Sequence, residues 1–163
     1  MNFPILSSLI LLPSIGALFL LFSKDKNSNT SKYVSLFTSF VNFLISIYLW
    51  YSFDTSISSF QFVEDREWMK GFINYKVGID GISILFIILT TFITPLCIIS
   101  VNNTVKNRLR DFLIAILVME SLMIGVFCSL DLVIFYLFFE AGLIPMFLII
   151  GIWGGARRVY SAF

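Results

Sequence analysis

The sequence predicts an all-α fold, a polytopic transmembrane helix bundle of about five spans, and two observations lead to this prediction. First, 58% of the residues are hydrophobic and only 13% are charged, whereas charged residues make up about a quarter of a soluble domain. Second, five apolar runs approach the roughly 20 residues that a helix needs to cross a ~30 Å hydrocarbon core. They are Phe3–Phe22, Tyr33–Phe53, Ile82–Val101, Phe112–Cys128 and Leu132–Trp153. We expect them to form a single membrane domain over residues 1–163.

The first run has a length that a signal peptide could also have. A signal peptide carries a basic segment before its apolar core, and no basic residue precedes this run. We therefore interpret residues 3–22 as a retained membrane span.

Basic residues lie mainly in alternate connections: the first, the third and the segment after the fifth run. They are Lys24, Lys26 and Lys32; Lys106, Arg108 and Arg110; and Arg157 and Arg158. The positive-inside rule assigns such connections to the cytoplasm or the mitochondrial matrix. The N-terminus is then expected outside, and the C-terminal end on the cytoplasmic or matrix side.

The long connection over residues 54–79 carries charges of both signs and lies on the outer side in this arrangement. Within it, Phe60–Val63 alternates between apolar and polar residues, and Phe72–Val77 does so less regularly. Lys70–Gly71 lies between the two stretches, so a short β-hairpin over the ends of the helices is predicted.

Three aspartates lie at the starts of apolar runs. Short polar side chains at such positions accept hydrogen bonds from the free backbone N–H groups of the first helical turn. We therefore interpret Asp80, Asp111 and Asp131 as helix N-caps rather than as functional residues.

The composition excludes several kinds of site. Because the sequence contains no histidine, it cannot form a Ser-His-Asp triad or any metal or haem site with a histidine ligand. Cys97 and Cys128 lie in apolar runs without a CxxC motif, which argues against an iron–sulfur cluster and favours simple packing roles. The net charge of +1 does not provide the basic face that a nucleic acid requires.

Two glutamates lie deep inside apolar runs. Glu120 is ten residues before Leu130, the centre of the turn between the fourth and fifth runs, and Glu140 is ten residues after it. At ~1.5 Å per residue, each lies roughly 15 Å from the turn, half the thickness of a ~30 Å core. Both carboxyl groups are therefore expected near the bilayer midplane, although helix rotation decides whether they face each other.

A carboxyl group at this depth has two interpretations. A charged carboxylate costs at least ~2.5 kcal/mol there, so each group is expected to gain and lose a proton, as a proton relay requires. The alternative is a permanently protonated glutamate that joins neighbouring helices by a hydrogen bond; Ser121 could be such a local partner of Glu120.

Pro145 lies inside the fifth run, five residues after Glu140. A proline in a helix leaves the carbonyl four residues earlier, here that of Ala141, without its hydrogen bond. We predict a kink that offers a water-binding carbonyl beside the proton relay, with a simple packing kink as the alternative.

The segment Phe135–Met146, with Glu140 and Pro145 inside it, resembles the fifth-helix motif of NADH–quinone oxidoreductase (respiratory complex I) subunit M, called subunit 4 in mitochondria. Ile152–Tyr160 resembles the next connection of that family, and Val77–Ser83 its entry to the third helix. Glu120 falls where many members have an acid in the fourth helix.

This resemblance implies a proton-translocating membrane-arm subunit of an antiporter-like fold, in the bacterial plasma membrane or the mitochondrial inner membrane. Glu140 would be the essential glutamate of the family and Glu120 an accessory acid, so the chain would act as part of an oxidoreductase (translocase) without redox chemistry of its own. No cofactor is expected in this chain; NADH, FMN, iron–sulfur clusters and quinone would be bound by other subunits. The expected partners are other complex I membrane subunits, lipids and protons.

The resemblance also implies more helices than this sequence contains, including later ones that carry the channel lysines of the family. We therefore expect the chain to be truncated relative to the family, an N-terminal portion. Two alternatives stay open: a subunit of a multisubunit cation/proton antiporter of the same fold, or a non-catalytic membrane scaffold fragment.

Overall fold

A computed structural model describes residues 4–23, 28–69, 73–101, 105, 108–155 and 157–162. In chain order the elements are α1 (Ile5–Phe22), α2 (Ser28–Tyr51), β1 (Gln61–Met69), β2 (Ile73–Ile79), α3 (Ser83–Ser100), α4 (Leu109–Cys128), α5 (Leu132–Trp153) and the short α6 (Arg158–Ala162). The helices α1 to α5 are each long and apolar enough to cross a membrane. The predicted fold class, a bundle of about five spans, is confirmed.

Helix α4 is the central element of the bundle, since it contacts α1, α2, α3 and α5. Helix α5 lies at the periphery and packs mainly on α4, β2 and α6. Of the 22 residues of α5, only Ile134 and Pro145 are buried, although the helix is apolar on nearly every side. Much of α5 is therefore exposed in the part of the chain that the structure describes.

The interior of the bundle consists of two apolar clusters with polar residues between them. The cluster beside the hairpin contains Leu9 of α1, Leu49 of α2, Ile87 of α3 and Ile124 of α4. The cluster at the opposite end contains Ala17 and Leu20 of α1, Ile98 of α3, and Leu113 and Leu117 of α4. In α1 to α4, polar residues lie along the chain between the residues of one cluster and those of the other. We call these polar residues the middle polar layer: Ser14, Asn42, Ser46, Thr91, Thr94, Glu120 and Ser121.

The strands β1 and β2 pair as an antiparallel hairpin in which Gln61 lies opposite Ile79 and Glu64 opposite Val77. The register shifts between Gln61 and Glu64, and Phe62 within this bulge has a φ of 53°. The hairpin also continues onto the turn between α4 and α5, because the Leu130 N–H donates to the Lys76 carbonyl at 2.9 Å. The loop is thus fixed on the bundle rather than projecting from it.

The three predicted N-caps differ in outcome. Asp131 is the N-cap of α5, and its carboxylate accepts from the N–H groups of Val133 and Ile134 at 2.9 and 3.2 Å. For Asp80 the N-cap prediction is wrong, because Ile82 occupies that position of α3; the Asp80 carboxylate still accepts from the Ser83 N–H at 2.7 Å. For Asp111 the prediction is wrong: it lies in the first turn of α4, where Arg108 is the N-cap and donates to it at 2.9 Å.

Helix α2 begins before the apolar run that predicted it. It starts at Ser28 rather than at Tyr33, so Lys32, which the charge pattern places in a connection, lies in the first turns of the helix. Ser28, Asn29 and Ser31 at the start of α2 are polar, so hydropathy alone does not assign these residues to the span.

Candidate functional site

The candidate site is centred on Glu120, in the middle of α4. Its side chain is 2% exposed, and Asn42 of α2, which is fully buried, donates from Nδ2 to Glu120 Oε1 at 3.0 Å. Among the described residues, the salt bridges are Lys76–Asp65 and Arg108–Asp111. The Glu120 carboxyl group therefore has an amide as its partner, and no described cation forms a salt bridge with it.

Two buried oxygen atoms of this pair have no hydrogen-bond partner among the described residues: Asn42 Oδ1 and Glu120 Oε2. Buried polar atoms are nearly always hydrogen-bonded, and an unsatisfied one costs about 1–3 kcal/mol. The two atoms belong to the same pair of side chains, so the site has unused hydrogen-bonding capacity at one place in the bundle interior.

Ser121 does not act as the local partner of Glu120 that the sequence suggested. Its hydroxyl donates to the Ile10 carbonyl at 2.5 Å and accepts from the Ser14 hydroxyl at 2.8 Å, and both residues belong to α1. Glu120 and Ser121 thus project in different directions, the first toward α2 and the second toward α1. That expectation is wrong because adjacent helical residues are separated by about 100° around the axis.

Asn42 belongs to a buried polar face of α2. The members of this face recur every three or four residues and are all at most 2% exposed: Ser31, Ser35, Ser39, Asn42 and Ser46. Several of the serine hydroxyls donate to carbonyls of their own helix, which reduces their need for other partners. Ser46 also contacts Thr91 of α3 at 2.7 Å between the two hydroxyl oxygens.

Glu140 lies in a different environment from Glu120. Its side chain is exposed on the outer side of α5, one helical turn after Tyr136 on the same helix. Glu120 faces α2 through Asn42. The structure therefore does not bring the two glutamates together, which answers the question of helix rotation that the sequence left open.

Pro145 is buried, whereas Glu140 is exposed, so the two residues lie on different sides of α5. The helix continues through Pro145 to Trp153. The role of Pro145 as a kink beside a proton relay stays a prediction, as do the relay roles of Glu140 and Glu120.

Neither cysteine forms a disulfide: Cys97 is exposed and Cys128 is buried, and both are free thiols. Within the described ranges, no group of three or more Cys, Asp or Glu side chains could hold a metal ion.

Comparison with known sequences identifies the family. Residues 5–128 match the family described as NADH-ubiquinone oxidoreductase chain 4, amino terminus, and residues 129–163 match the one described as NADH:quinone oxidoreductase/Mrp antiporter, TM. The first match alone covers most of the chain. The chain belongs to the NADH-ubiquinone oxidoreductase chain 4 family. The resemblance seen in the sequence is confirmed.

Curated members of the chain 4 family come from both bacteria and mitochondria-bearing organisms. NADH-quinone oxidoreductase subunit M of Rhodobacter capsulatus is 58% identical over 85% of this chain and 26% of its own length. NADH-ubiquinone oxidoreductase chain 4 of Marchantia polymorpha is 46% identical over 96% of this chain and 32% of its own. The chain thus spans about a quarter to a third of the length of these relatives.

A solved structure shares the fold of this chain 4 family member. The archaeal membrane-bound sulfane sulfur reductase, a respiratory membrane complex, contains a chain that matches with a TM-score of 0.71. The match covers 93% of this chain and 23% of the other, with 16% sequence identity. At that identity, the similarity concerns the arrangement of the helices alone.

The sequence analysis did not predict Asn42, whose side chain donates a hydrogen bond to Glu120. A signal for it exists in the sequence, because Ser31, Ser35, Ser39, Asn42 and Ser46 recur at helical spacing within an apolar run. Polar residues at that spacing define one face of a helix, and in a membrane such a face turns toward other protein. The face of α2 is uncharged, so it gives a weaker signal in a hydropathy profile than the two glutamates do.

Proposed function

We propose that this chain forms part of a proton-translocating membrane-arm subunit of NADH–quinone oxidoreductase, and that Glu120 and Glu140 relay protons. Quinone reduction would take place in other subunits, which also hold NADH, FMN and the iron–sulfur clusters. The observation that carries the proposal is Glu120, a carboxyl group 2% exposed within the middle polar layer and hydrogen-bonded to Asn42.

The surroundings of Glu120 favour reversible protonation. An ionised carboxylate in the centre of a membrane helix costs at least ~2.5 kcal/mol, and no described cation offsets this cost. A neutral carboxylic acid avoids it, while the amide of Asn42 remains able to donate to the ionised form. Such a group can take up a proton and release it, which is the property that a relay needs.

Glu140 would be the second carboxyl group of the relay, on the side of α5 that is exposed among the described residues. Because curated relatives are three to four times as long as this chain, we propose that further spans of the whole protein cover this face. Glu140 would then lie in a protein interior and not in lipid, with Tyr136 as its neighbour on α5.

The protein is a multi-pass membrane protein with five helices able to span. We propose a location in the bacterial plasma membrane or the mitochondrial inner membrane, with the N-terminus outside. The alternate basic connections support this orientation through the positive-inside rule. The partners would be other membrane subunits of the complex, together with lipids.

The proposal is tested in the whole complex of Rhodobacter capsulatus, with Gln introduced at the positions that match Glu120 and Glu140. Each change keeps the shape of the side chain but removes its capacity to carry a proton. We expect a loss of proton pumping and of quinone-linked turnover, larger for Glu140→Gln. Asp65→Asn, in the exposed hairpin salt bridge with Lys76, is the matched control and should leave both activities unchanged. Full pumping in both Gln variants would contradict the relay.

A second candidate is a subunit of a multisubunit cation/proton antiporter. The match of residues 129–163 favours it specifically, because that family's description includes Mrp antiporters. The two candidates differ in their partners. Co-purification of the whole protein with flavin and iron–sulfur subunits supports the oxidoreductase, whereas co-purification with other antiporter subunits supports the antiporter.

A further inference from the structure

The two buried atoms without partners, Asn42 Oδ1 and Glu120 Oε2, belong to side chains that already share one hydrogen bond. If Glu120 were ionised, both atoms would be pure acceptors, and neither could satisfy the other. If Glu120 carries its proton on Oε2, that oxygen becomes a donor and Asn42 Oδ1 becomes its natural acceptor. One proton on Glu120 Oε2 would thus give both atoms a hydrogen-bond partner.

We propose that Asn42 is a positioning residue that holds protonated Glu120 in a reciprocal pair. The Asn42 amide N–H donates to Glu120 Oε1, and the Glu120 hydroxyl at Oε2 donates to Asn42 Oδ1. This inference deepens the proposed function and rests on it, since the pair is the proton-loaded state of the relay at Glu120.

The surrounding helices carry no described group that would hold Glu120 in its charged form. The spans of α1 and α3 contain no Asp, Glu, Lys or Arg. Lys32 of α2 is ten residues from Asn42, about 15 Å along a helix, and Glu140 of α5 is directed outward. Arg110 of α4 is also ten residues from Glu120 and donates to the Ser23 carbonyl at 3.1 Å.

The two apolar clusters on either side strengthen the case for a direct pair. Leu113 and Leu117 of α4 lie on one side of Glu120, and Ile124 lies on the other; all three are fully buried. An amide suits this place because its donor and its acceptor are two different atoms, so it can meet both oxygens of a protonated carboxyl group at once. A serine hydroxyl, as found elsewhere on the buried face of α2, carries its donor and its acceptor on a single oxygen.

Infrared spectroscopy of the full chain in lipid nanodiscs, with ¹³C-labelled glutamate carboxyl groups, tests this pair. The sequence contains four glutamates, and the label separates them from the aspartates. At neutral pH we expect a C=O band of a protonated carboxyl group that disappears in Glu120→Gln and persists in Glu140→Gln. In Asn42→Leu the band should move to higher frequency, because the Oε1 carbonyl loses its donor.

Two further variants keep the test independent of folding. Asn42→Asp preserves the size of the side chain but replaces the amide N–H donor with a carboxyl group, so it should also shift the labelled band. Ser39→Ala, on the same buried face of α2, removes a hydroxyl that donates to the Leu36 carbonyl and should leave the band in place.

The absence of a Glu120-dependent acid band would overturn the pair in favour of an ionised, water-bound carboxylate. A band that stays at the wild-type frequency in both Asn42→Leu and Asn42→Asp would also overturn it, because Glu120 would then be protonated without help from Asn42. Either result can be told apart from a failure of the proposed function. The infrared band tests the hydrogen-bonded pair in this chain, whereas proton pumping by the whole complex tests the function.

Discussion

The carboxylate of Glu64, in β1, accepts a hydrogen bond at 2.9 Å from the backbone N–H of Leu6, in the first turn of α1. The N–H of Ser7 contributes a further bond at 3.3 Å, and the Ser7 hydroxyl also contacts the carboxylate. The first N–H groups of a helix have no partner within the helix itself. A residue of the hairpin therefore provides the cap that Pro4, at the N-cap position, cannot.

This contact leads to a prediction about stability. Glu64→Gln should lower the free energy of unfolding by about 1.5–3 kcal/mol, the range for hydrogen bonds to charged groups, because the negative charge at a helix N-terminus is lost. Denaturant titration of the chain in detergent micelles, followed by far-UV circular dichroism, provides the measurement. Asp65→Asn is the control: its salt bridge with Lys76 is 3.8 Å long and about half exposed, and such pairs contribute 0–1 kcal/mol. Equal effects of the two changes would contradict this role of Glu64.

Gly125 permits the close approach of α4 and α5. A Cβ atom at this position would lie 2.6 Å from Cδ1 of Phe138, whereas one at Gly142 would meet nothing within 4 Å. Gly125→Ala should therefore destabilise the chain by about 1–3 kcal/mol through overpacking, and Gly142→Ala should not. Thermal unfolding of both variants in the same detergent provides the comparison. A greater loss of stability in Gly142→Ala than in Gly125→Ala would contradict the close packing of Gly125 against Phe138.

The Ser46–Thr91 hydrogen bond joins α2 to α3 inside the middle polar layer. In a double-mutant cycle with Ser46→Ala and Thr91→Val, we expect a coupling energy of about 0.6 kcal/mol, the average for such bonds between membrane helices. Replacing Thr91→Val by Thr90→Val gives the control cycle, since Thr90 is bonded to the Phe86 carbonyl of its own helix. That control should show a coupling near zero, and a zero value in both cycles would argue against the bond.

Asp80 predicts a dependence of stability on pH. The backbone and side chain of Ser83 donate to its carboxylate and hold the pKa of Asp80 below its ordinary value. A lowered pKa in the folded state stabilises the fold above the unfolded pKa of about 3.9, and this contribution is lost as the pH falls through the folded pKa. Asp80→Asn should therefore reduce the melting temperature at pH 7, and the difference from the wild type should shrink below pH 4. A difference that is constant with pH would contradict this cause.

The class of the fold could be predicted from the sequence because hydrophobic runs of membrane-spanning length have few alternatives. In hydrocarbon, every backbone N–H and C=O must be satisfied within the chain, so an apolar run of that length becomes a helix. The same reasoning found Glu120 and Glu140, since a charge inside such a run is costly wherever the helix lies. It misplaced the start of α2 at Tyr33, because the polar residues of its first turn are tolerated at the edge of a membrane.

The sequence by itself determined which residues of this protein lie inside the membrane, because hydropathy acts on each run locally. Only the tertiary structure decided that Glu120 meets Asn42, that Ser121 bonds to α1 and that Glu140 is directed outward. These outcomes depend on how each helix is rotated about its axis, which is fixed by side chains from helices far apart in the chain. Helices that are apolar on nearly every side, as α5 is, carry almost no local signal of that rotation.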